Sequence, residues 1–260
     1  MNLELNNKRV LITGASKGIG FACAKIFAAE GCHVTLAARD LQALKDAQQK
    51  LKEVNDNVDI EIYSVDLSKS EEQLRLAECA GDYDILINNA GSNPSGKLTD
   101  TTEAGWRQSF DLKMFGYVNL TRLACEAMGR KGHGVIVNVI GFAGERLMSQ
   151  YIIGTTANAG LIAFTRSVGS QSTDFGVRVV GVNPSLTKTE RGEKLLKLWG
   201  EKDPNNILTE EQVQASMNLP FGRMASSEEV ADAVAFLASA RASYISGVVL
   251  NVDGGAAFRQ

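Results

Sequence analysis

A doubly wound parallel α/β sheet of about seven strands, with helices on both faces, is the fold class this sequence predicts. Three observations lead to it. Short β-branched runs recur along the chain, amphipathic helical stretches separate them, and a glycine-rich turn joins the first run to the first helix. Such alternation implies parallel pairing through right-handed crossovers that cover both faces. Runs that are apolar at nearly every position suit strands buried on both sides.

The strand runs occupy residues 10–13, 34–38, 60–65, 85–88, 135–139, 177–182 and 248–252. Residues 19–30 read as a helix because Ile19, Cys23, Ile26 and Phe27 recur at helical spacing. After the second run, Asp40 is placed to cap a helix carrying Leu41, Leu44, Ala47 and Leu51. The last crossover contains an insertion at about 186–224, rich in Lys and Glu. Leu195, Leu196, Leu198 and Trp199 are spaced there for an apolar stripe, so it reads as a lid. With no internal repeat and no Pro/Gly/Ser-rich joint, residues 1–260 are expected to form a single domain.

Composition limits the function. Of 260 residues, 44% are hydrophobic and 22% charged, which excludes disordered, collagen-like and disulfide-scaffold classes. A net charge of −3 provides no basic field for phosphate backbones or anionic lipid, so neither nucleic acid nor membrane is an expected partner. Cys23, Cys32, Cys79 and Cys125 form no CxxC pair. With only His33 and His133 beside them, no metal site is expected, and reduced thiols in a cytoplasmic protein are. The start, MNLELNNKRV, has no apolar core of a secretory signal. The uncharged stretch between Arg146 and Arg166 holds too many Ser, Thr, Asn and Gly residues to span a bilayer.

The chemistry begins at TGASKGIG, residues 13–20. Gly14, Gly18 and Gly20 allow a sharp turn and close approach of a pyrophosphate. Ser16, Lys17 and Ile19 stand at the following helix N-terminus, where unpaired amides and the macrodipole favour an anion. At the end of the second run, where an acid would hold the ribose 2′-hydroxyl of NAD, the chain reads Ala37-Ala38-Arg39. Arg39 and Lys17 are two cations placed for a 2′-phosphate, so NADP(H) is expected over NAD(H).

Further motifs follow in order: Asp66 after the third run, NNAG at 88–91, NPSLTKT at 183–189, then PFGR, EEVADAVAFLAS, YISG and VDGG. Together they resemble, nearly end to end, the short-chain dehydrogenase/reductase family, whose fold is Rossmann-type. The resemblance implies that Asp66 and Leu67 lie by the adenine and Asn89, Ala90 and Gly91 by the ribose. It places the segment from Pro184 to Thr187 by the nicotinamide, with Ser185 standing where a glycine is usual. It also implies a homodimer or homotetramer.

Members of that family reduce carbonyls or oxidise alcohols with a Ser, a Tyr, a Lys and an Asn. Aligned without a gap on LIAFTRSVG (161–169), the Lys position is Asn158, the Tyr position Gly154 and the Ser position Gly141. The Asn position is Lys113. All four expected groups are absent from this register. Two glycines offer no side chain, and a neutral amide cannot lower a phenol's pKa as an ammonium does.

Two residues are candidate replacements. Tyr151, in Y-x-x-x-T with Thr155, stands three residues before Gly154. In a helix its ring would lean toward the N-terminus, away from position 154, and line the pocket rather than donate a proton. Lys113 places a long amine where relatives have a short amide. Burial would bring its pKa toward neutrality, as a proton donor requires, although a ribose-binding role or a structural ammonium on carbonyls or Asn158 fits equally. Glu145 and Arg146 are expected to border the pocket and pair with each other. His33 and His133 read as surface residues.

Three functions remain open at this point. One is an NADP(H)-binding oxidoreductase with a rebuilt active site, acting on an unknown small-molecule carbonyl or alcohol. Another is a catalytically silent NADP(H)-binding sensor or regulatory subunit. The third is a non-redox enzyme in which Lys113 or Glu145 moves protons.

Overall fold

The computed structural model describes residues 1–80, 82–200 and 219–259. Seven strands form one wholly parallel sheet: β1 (Arg9–Thr13), β2 (His33–Ala38), β3 (Ile60–Ser64), β4 (Ile85–Asn88), β5 (Gly134–Val139), β6 (Val177–Pro184) and β7 (Val249–Val252). Every predicted run is a strand within two residues of its expected bounds. The largest extension is at β6, where Asn183 and Pro184 still pair with Asn251 and Val252.

Strand order is β3-β2-β1-β4-β5-β6-β7. From β1 the chain winds outward through β2 and β3, then returns to the middle and winds the other way from β4. That reversal opens a crevice at the carboxyl ends of β1 and β4, where ligands of such sheets bind.

Alternating side chains feed two cores. Val10, Ile12, Ile85, Ile87, Val180 and Val182 point to a face covered by α1 (Gly18–Ala29), α2 (Leu41–Lys52) and α8 (Ser227–Ala238). Their neighbours Leu11, Leu86, Ile136 and Val179 point to the other face, against α3 (Ser70–Ala80) and α5 (Gly116–Lys131). Each fully buried aliphatic side chain contributes about 1.5–3 kcal/mol. A smaller cluster joins α5 to α6 (Ile152–Gln171) through Tyr117, Ile140, Leu161 and Ile162.

Local signals behave as their chemistry requires. The Asp40 carboxylate caps α2 by accepting from Ala43 N at 3.0 Å. Leu41, in the first turn, is exposed, so the stripe that packs is Leu44, Ala47 and Leu51. After β6, α7 (Glu190–Gly200) packs Leu195 and Leu196 against Leu186, Leu219 and Met224, while Leu198 faces solvent. The remaining lid expectation, including the Trp199 side chain, lies outside the described residues.

Cys23, Cys32 and Cys125 are free thiols, and burial pushes Cys23 and Cys32 up to about 12. The Cys79 side chain lies outside the described residues. Among those described, no group of three His, Cys, Asp or Glu side chains could hold a metal ion, and no helix is long and apolar enough to cross a membrane.

Helix α6 approaches the sheet too closely for any side chain at Gly169. A Cβ there would lie 2.3 Å from Val179 O and 2.4 Å from Gly247 N, both backbone atoms. Gly→Ala inside a helix ordinarily stabilises by about 1 kcal/mol. Gly169→Ala is expected instead to destabilise by about 1–3 kcal/mol, read as a lowered Tm; an unchanged or raised Tm would contradict this packing.

Candidate active site

The turns after β1 and β4 are tied into one unit. Thr13 Oγ1 donates to Ile87 O at 3.3 Å and accepts from Asn89 N at 2.9 Å and Ala90 N at 3.0 Å. Asn89 Nδ2 returns to Thr13 O and Gly14 O at 3.0 and 3.2 Å. Gly14 has a φ of +64°, and a Cβ on it would lie 2.9 Å from Ala90 Cα. On Gly20 a Cβ would strike Gly14 O at 2.3 Å. Only glycine permits this closeness.

Helix α1 then begins at Gly18 with no side-chain cap and no acid in its first turn, leaving its amides for an anion. This cradle fits a dinucleotide pyrophosphate. Ser16 and Ile19 belong to the same turn, and Arg39, Asp66 and Leu67 stand at the carboxyl ends of β2 and β3. Burial raises the Asp66 carboxyl, but Ser68 hydrogen bonds and the charges of Arg39 and Lys69 outweigh it and hold it below the usual carboxylate range. Arg39 is therefore close enough to act on Asp66. Leu67 itself is buried in the core. Lys17 Nζ is held by Glu190 at 2.5 Å, across the crevice on α7. Pro184 ends β6, and Thr187 Oγ1 donates to Ser185 O at 2.9 Å.

At the other end of the crevice, α4 (Glu103–Ser109) runs into α5 through a π-helical stretch, Phe110–Phe115. A π turn inserts a residue and re-aims side chains, which is why it recurs at functional sites. Here it contains Lys113, only 8% exposed, whose Nζ donates to Ile140 O at 2.6 Å. The lysine stem crosses Gly91, where a Cβ would meet Lys113 Cδ at 2.8 Å. Tyr117, one helical turn on, donates from Oη to Val139 O at 2.8 Å and lies under the ammonium, 5.8 Å from Nζ to ring centroid.

The residues aligned with the family's reactive positions do converge here. Gly141, at the end of β5, has a φ of +136°, and a Cβ on it would lie 2.9 Å from Asn158 Nδ2. Asn158 is buried, and its Oδ1 has no hydrogen-bond partner.

Tyr151 corrects the expectation drawn for it. It precedes α6 with non-helical dihedrals, φ −135° and ψ 40°, so its ring folds forward rather than leaning away. A Cβ on Gly154 would fall 2.0 Å from Tyr151 Cε1, so the ring fills the space that a side chain at 154 would take. Its hydroxyl accepts from Arg191 Nη2 at 2.9 Å. The expected Glu145–Arg146 pair is also corrected. Glu145 instead accepts from Arg166 Nη2 at 3.1 Å and Asn251 Nδ2 at 2.9 Å, and Arg146 Nη1 donates to Ala256 O at 3.2 Å.

Sequence reasoning missed Arg191 and Asn93. Arg191, on the first turn of α7, also donates to Gly91 O at 2.8 Å and Asn93 O at 3.0 Å, tying α7 to the turn after β4. Asn93 is 4% exposed; Ser109 Oγ donates to its Oδ1, and its Nδ2 has no partner. No motif marks either residue, because only the docking of α7 brings Arg191 over the crevice.

Burial, and then the charge of Arg191, lower the Lys113 ammonium from 10.5 to about 7. Keeping it charged costs the fold on the order of 5 kcal/mol at or below neutral pH. Between pH 7 and 10.5 the unfolded chain still holds a proton that the folded chain has released, so this cost fades and stability rises with pH. Lys113→Met is therefore expected to raise Tm at pH 7 and to narrow its advantage toward pH 10. A difference between the two proteins that is constant across that range would contradict the buried charge.

Comparison with known proteins matches the geometry. A family model described as enoyl-(acyl carrier protein) reductase matches residues 14–257. The chain is 32% identical over 262 residues to the 3-oxoacyl-[acyl-carrier-protein] reductase FabG of Chlamydia muridarum, covering 99% of this chain and 100% of that one. It is 31% identical over 255 residues to an uncharacterized oxidoreductase of Thermotoga maritima, covering 97% and 98%. Among solved structures, L-sorbose reductase from Gluconobacter frateurii, complexed with NADPH and L-sorbose, superposes with a TM-score of 0.90 at 28% identity, covering 100% of both chains. Fold, crevice and matched length together place this chain in the short-chain dehydrogenase/reductase family.

Proposed function

We propose that the protein is an NADP(H)-dependent oxidoreductase that interconverts a carbonyl compound and an alcohol, with Lys113 handling the proton in place of its relatives' tetrad. The supporting observation is the buried ammonium itself. It sits on the carbonyl of Ile140, beside Gly141, and only one of its three protons is engaged. A general acid works best when its pKa lies near the working pH, and Lys113 titrates near 7.

Gly14, Ser16, Gly18, Ile19 and Gly20 would hold the pyrophosphate, and Asn89, Ala90, Gly91, Pro184 and Thr187 the nicotinamide ribose end. Asp66 and Leu67 would flank the adenine, and Arg39 would take the 2′-phosphate. Lys17, already on Glu190, is left as a strut between α1 and α7. The bound dinucleotide supplies or accepts a hydride at the substrate carbon. Lys113 gives its proton to the carbonyl oxygen as reduction proceeds and is reprotonated from solvent. Tyr151, its hydroxyl on Arg191, orients that oxygen toward the ammonium.

The replaced tetrad draws further support from Gly141, whose positive φ disfavours any side chain. Leu250 on edge strand β7 and Val248 just before it are exposed, which suits the expected homodimer or homotetramer. A second reading, an NADP(H)-binding sensor without turnover, draws on the same replacement, because the Tyr151 ring fills the space beside Gly154 and Asn158 crowds Gly141.

Reduction of a responsive carbonyl by NADPH is expected to be fastest below about pH 7 and to fall above it, as the donor loses its proton. Lys113→Met should lower kcat by about 10²-fold or more without changing NADPH affinity. Undiminished turnover would exclude Lys113, and tight NADPH binding with no turnover of any aldehyde, ketone or quinone would favour the sensor. Arg39→Glu is expected to weaken NADPH binding at least about tenfold and spare NADH; equal losses would contradict the 2′-phosphate assignment.

A further inference from the structure

Among the described residues, the end of the crevice away from the glycine turn holds two positive side chains, Arg191 and Lys113, with no acid paired to either. Arg191 spends its described hydrogen bonds on three neutral acceptors: two backbone carbonyls and a phenol. Of its five N–H groups, Nε–H and one on Nη1 remain without a described partner. Lys113 engages one carbonyl and has two further protons. Neither residue forms an ion pair among the described residues. Nearby acids are turned elsewhere. Glu190, adjacent to Arg191 in the chain, gives one oxygen to Lys17 and the other to Lys194. Glu145 is committed to Arg166 and Asn251.

Asn93, whose carbonyl Arg191 holds, has a buried Nδ2 without a partner. A buried donor left unmade costs about 1–3 kcal/mol, and an uncompensated buried charge costs more. Surplus donors and two cations in one crevice are matched by an anion with two or more acceptor oxygens, and charge-assisted bonds from a guanidinium or an ammonium to a carboxylate are among the strong ones.

We infer that the substrate carries a carboxylate as well as its carbonyl, an oxo acid or the corresponding hydroxy acid, with Arg191 binding the carboxylate. The inference rests on the oxidoreductase reading above and adds the substrate class. Position favours the substrate over the cofactor's phosphates as the anion. Arg191 and Lys113 meet at Gly91, Tyr151 and the Gly141 end of β5, whereas the pyrophosphate cradle is the β1–α1 turn and Arg39 lies at the adenosine end.

The test is calorimetric titration of the NADP⁺-saturated protein with 3-oxobutanoate and 4-oxopentanoate, each against its methyl ester. At least one acid is expected to bind about tenfold or more tightly than its ester. Arg191→Gln should abolish that preference without altering NADPH affinity. Arg191→Lys, which keeps the charge but loses the planar array of donors, should retain part of it; it also controls for loss of the α7 clamp. Esters binding as well as acids would overturn the inference. So would an Arg191→Gln protein that loses NADPH affinity yet still prefers acids, since the cation would then serve the nucleotide. Acids that bind selectively but leave NADPH unoxidised support the substrate class and count against the redox reading alone. Neutral ketones reduced with no preference for acids do the reverse.

Discussion

Two positive side chains share one end of the crevice with no acid paired to either among the described residues, and the arrangement around the site follows from that constraint. Burial lowers the proton affinity of Lys113, and the charge of Arg191 lowers it further. The protein tolerates this because each cation is anchored on neutral oxygens, Lys113 on Ile140 O and Arg191 on Gly91 O, Asn93 O and Tyr151 Oη. Such anchors fix geometry without cancelling charge. The charge is left for a ligand or a reacting oxygen.

The scaffold explains how so costly a site persists. A buried polar ladder runs beneath it: Asn88 Nδ2 donates to Asn138 Oδ1 and Thr121 Oγ1, and Asn138 Nδ2 donates to Thr165 Oγ1. It ties β4 and β5 to α5 and α6 below the reactive end. Above it, the Thr13–Asn89 bonds lock the turns after β1 and β4. The π-helical stretch can then turn a lysine inward, because Leu112 and Met114 within it and Tyr117 and Leu120 beyond it are held by core contacts. Rigid neighbours hold the ammonium at Ile140 O, since the long side chain cannot retreat to solvent.

The sheet and the nucleotide crevice were legible in the sequence for local reasons. Strand runs such as VLIT and VIVNV, the Asp40 cap and the close-approach glycines each encode their structure within a few residues. The reactive end was only partly legible. Lys113 could be singled out because its position is defined along a helix, but its burial depends on the π stretch. Tyr151 was misjudged because its non-helical backbone, not the spacing to Gly154, sets the ring. Arg191 carried no signal, since it reaches Gly91 from a hundred positions away only once α7 docks. Glu145 similarly found Arg166 and Asn251 rather than its neighbour Arg146, because contacts across the fold prevailed over sequence adjacency.

Nitrogen NMR of the Lys113 side chain tests the central claim most directly, by following the protonation of Nζ with pH. The account predicts a midpoint near 7 in the ligand-free protein, moving upward when a carboxylate enters beside Arg191, since a nearby anion favours the charged form. A midpoint close to the ordinary 10.5, unmoved by any carboxylate, would mean that the ammonium is neither buried nor opposed by Arg191, and would contradict the account.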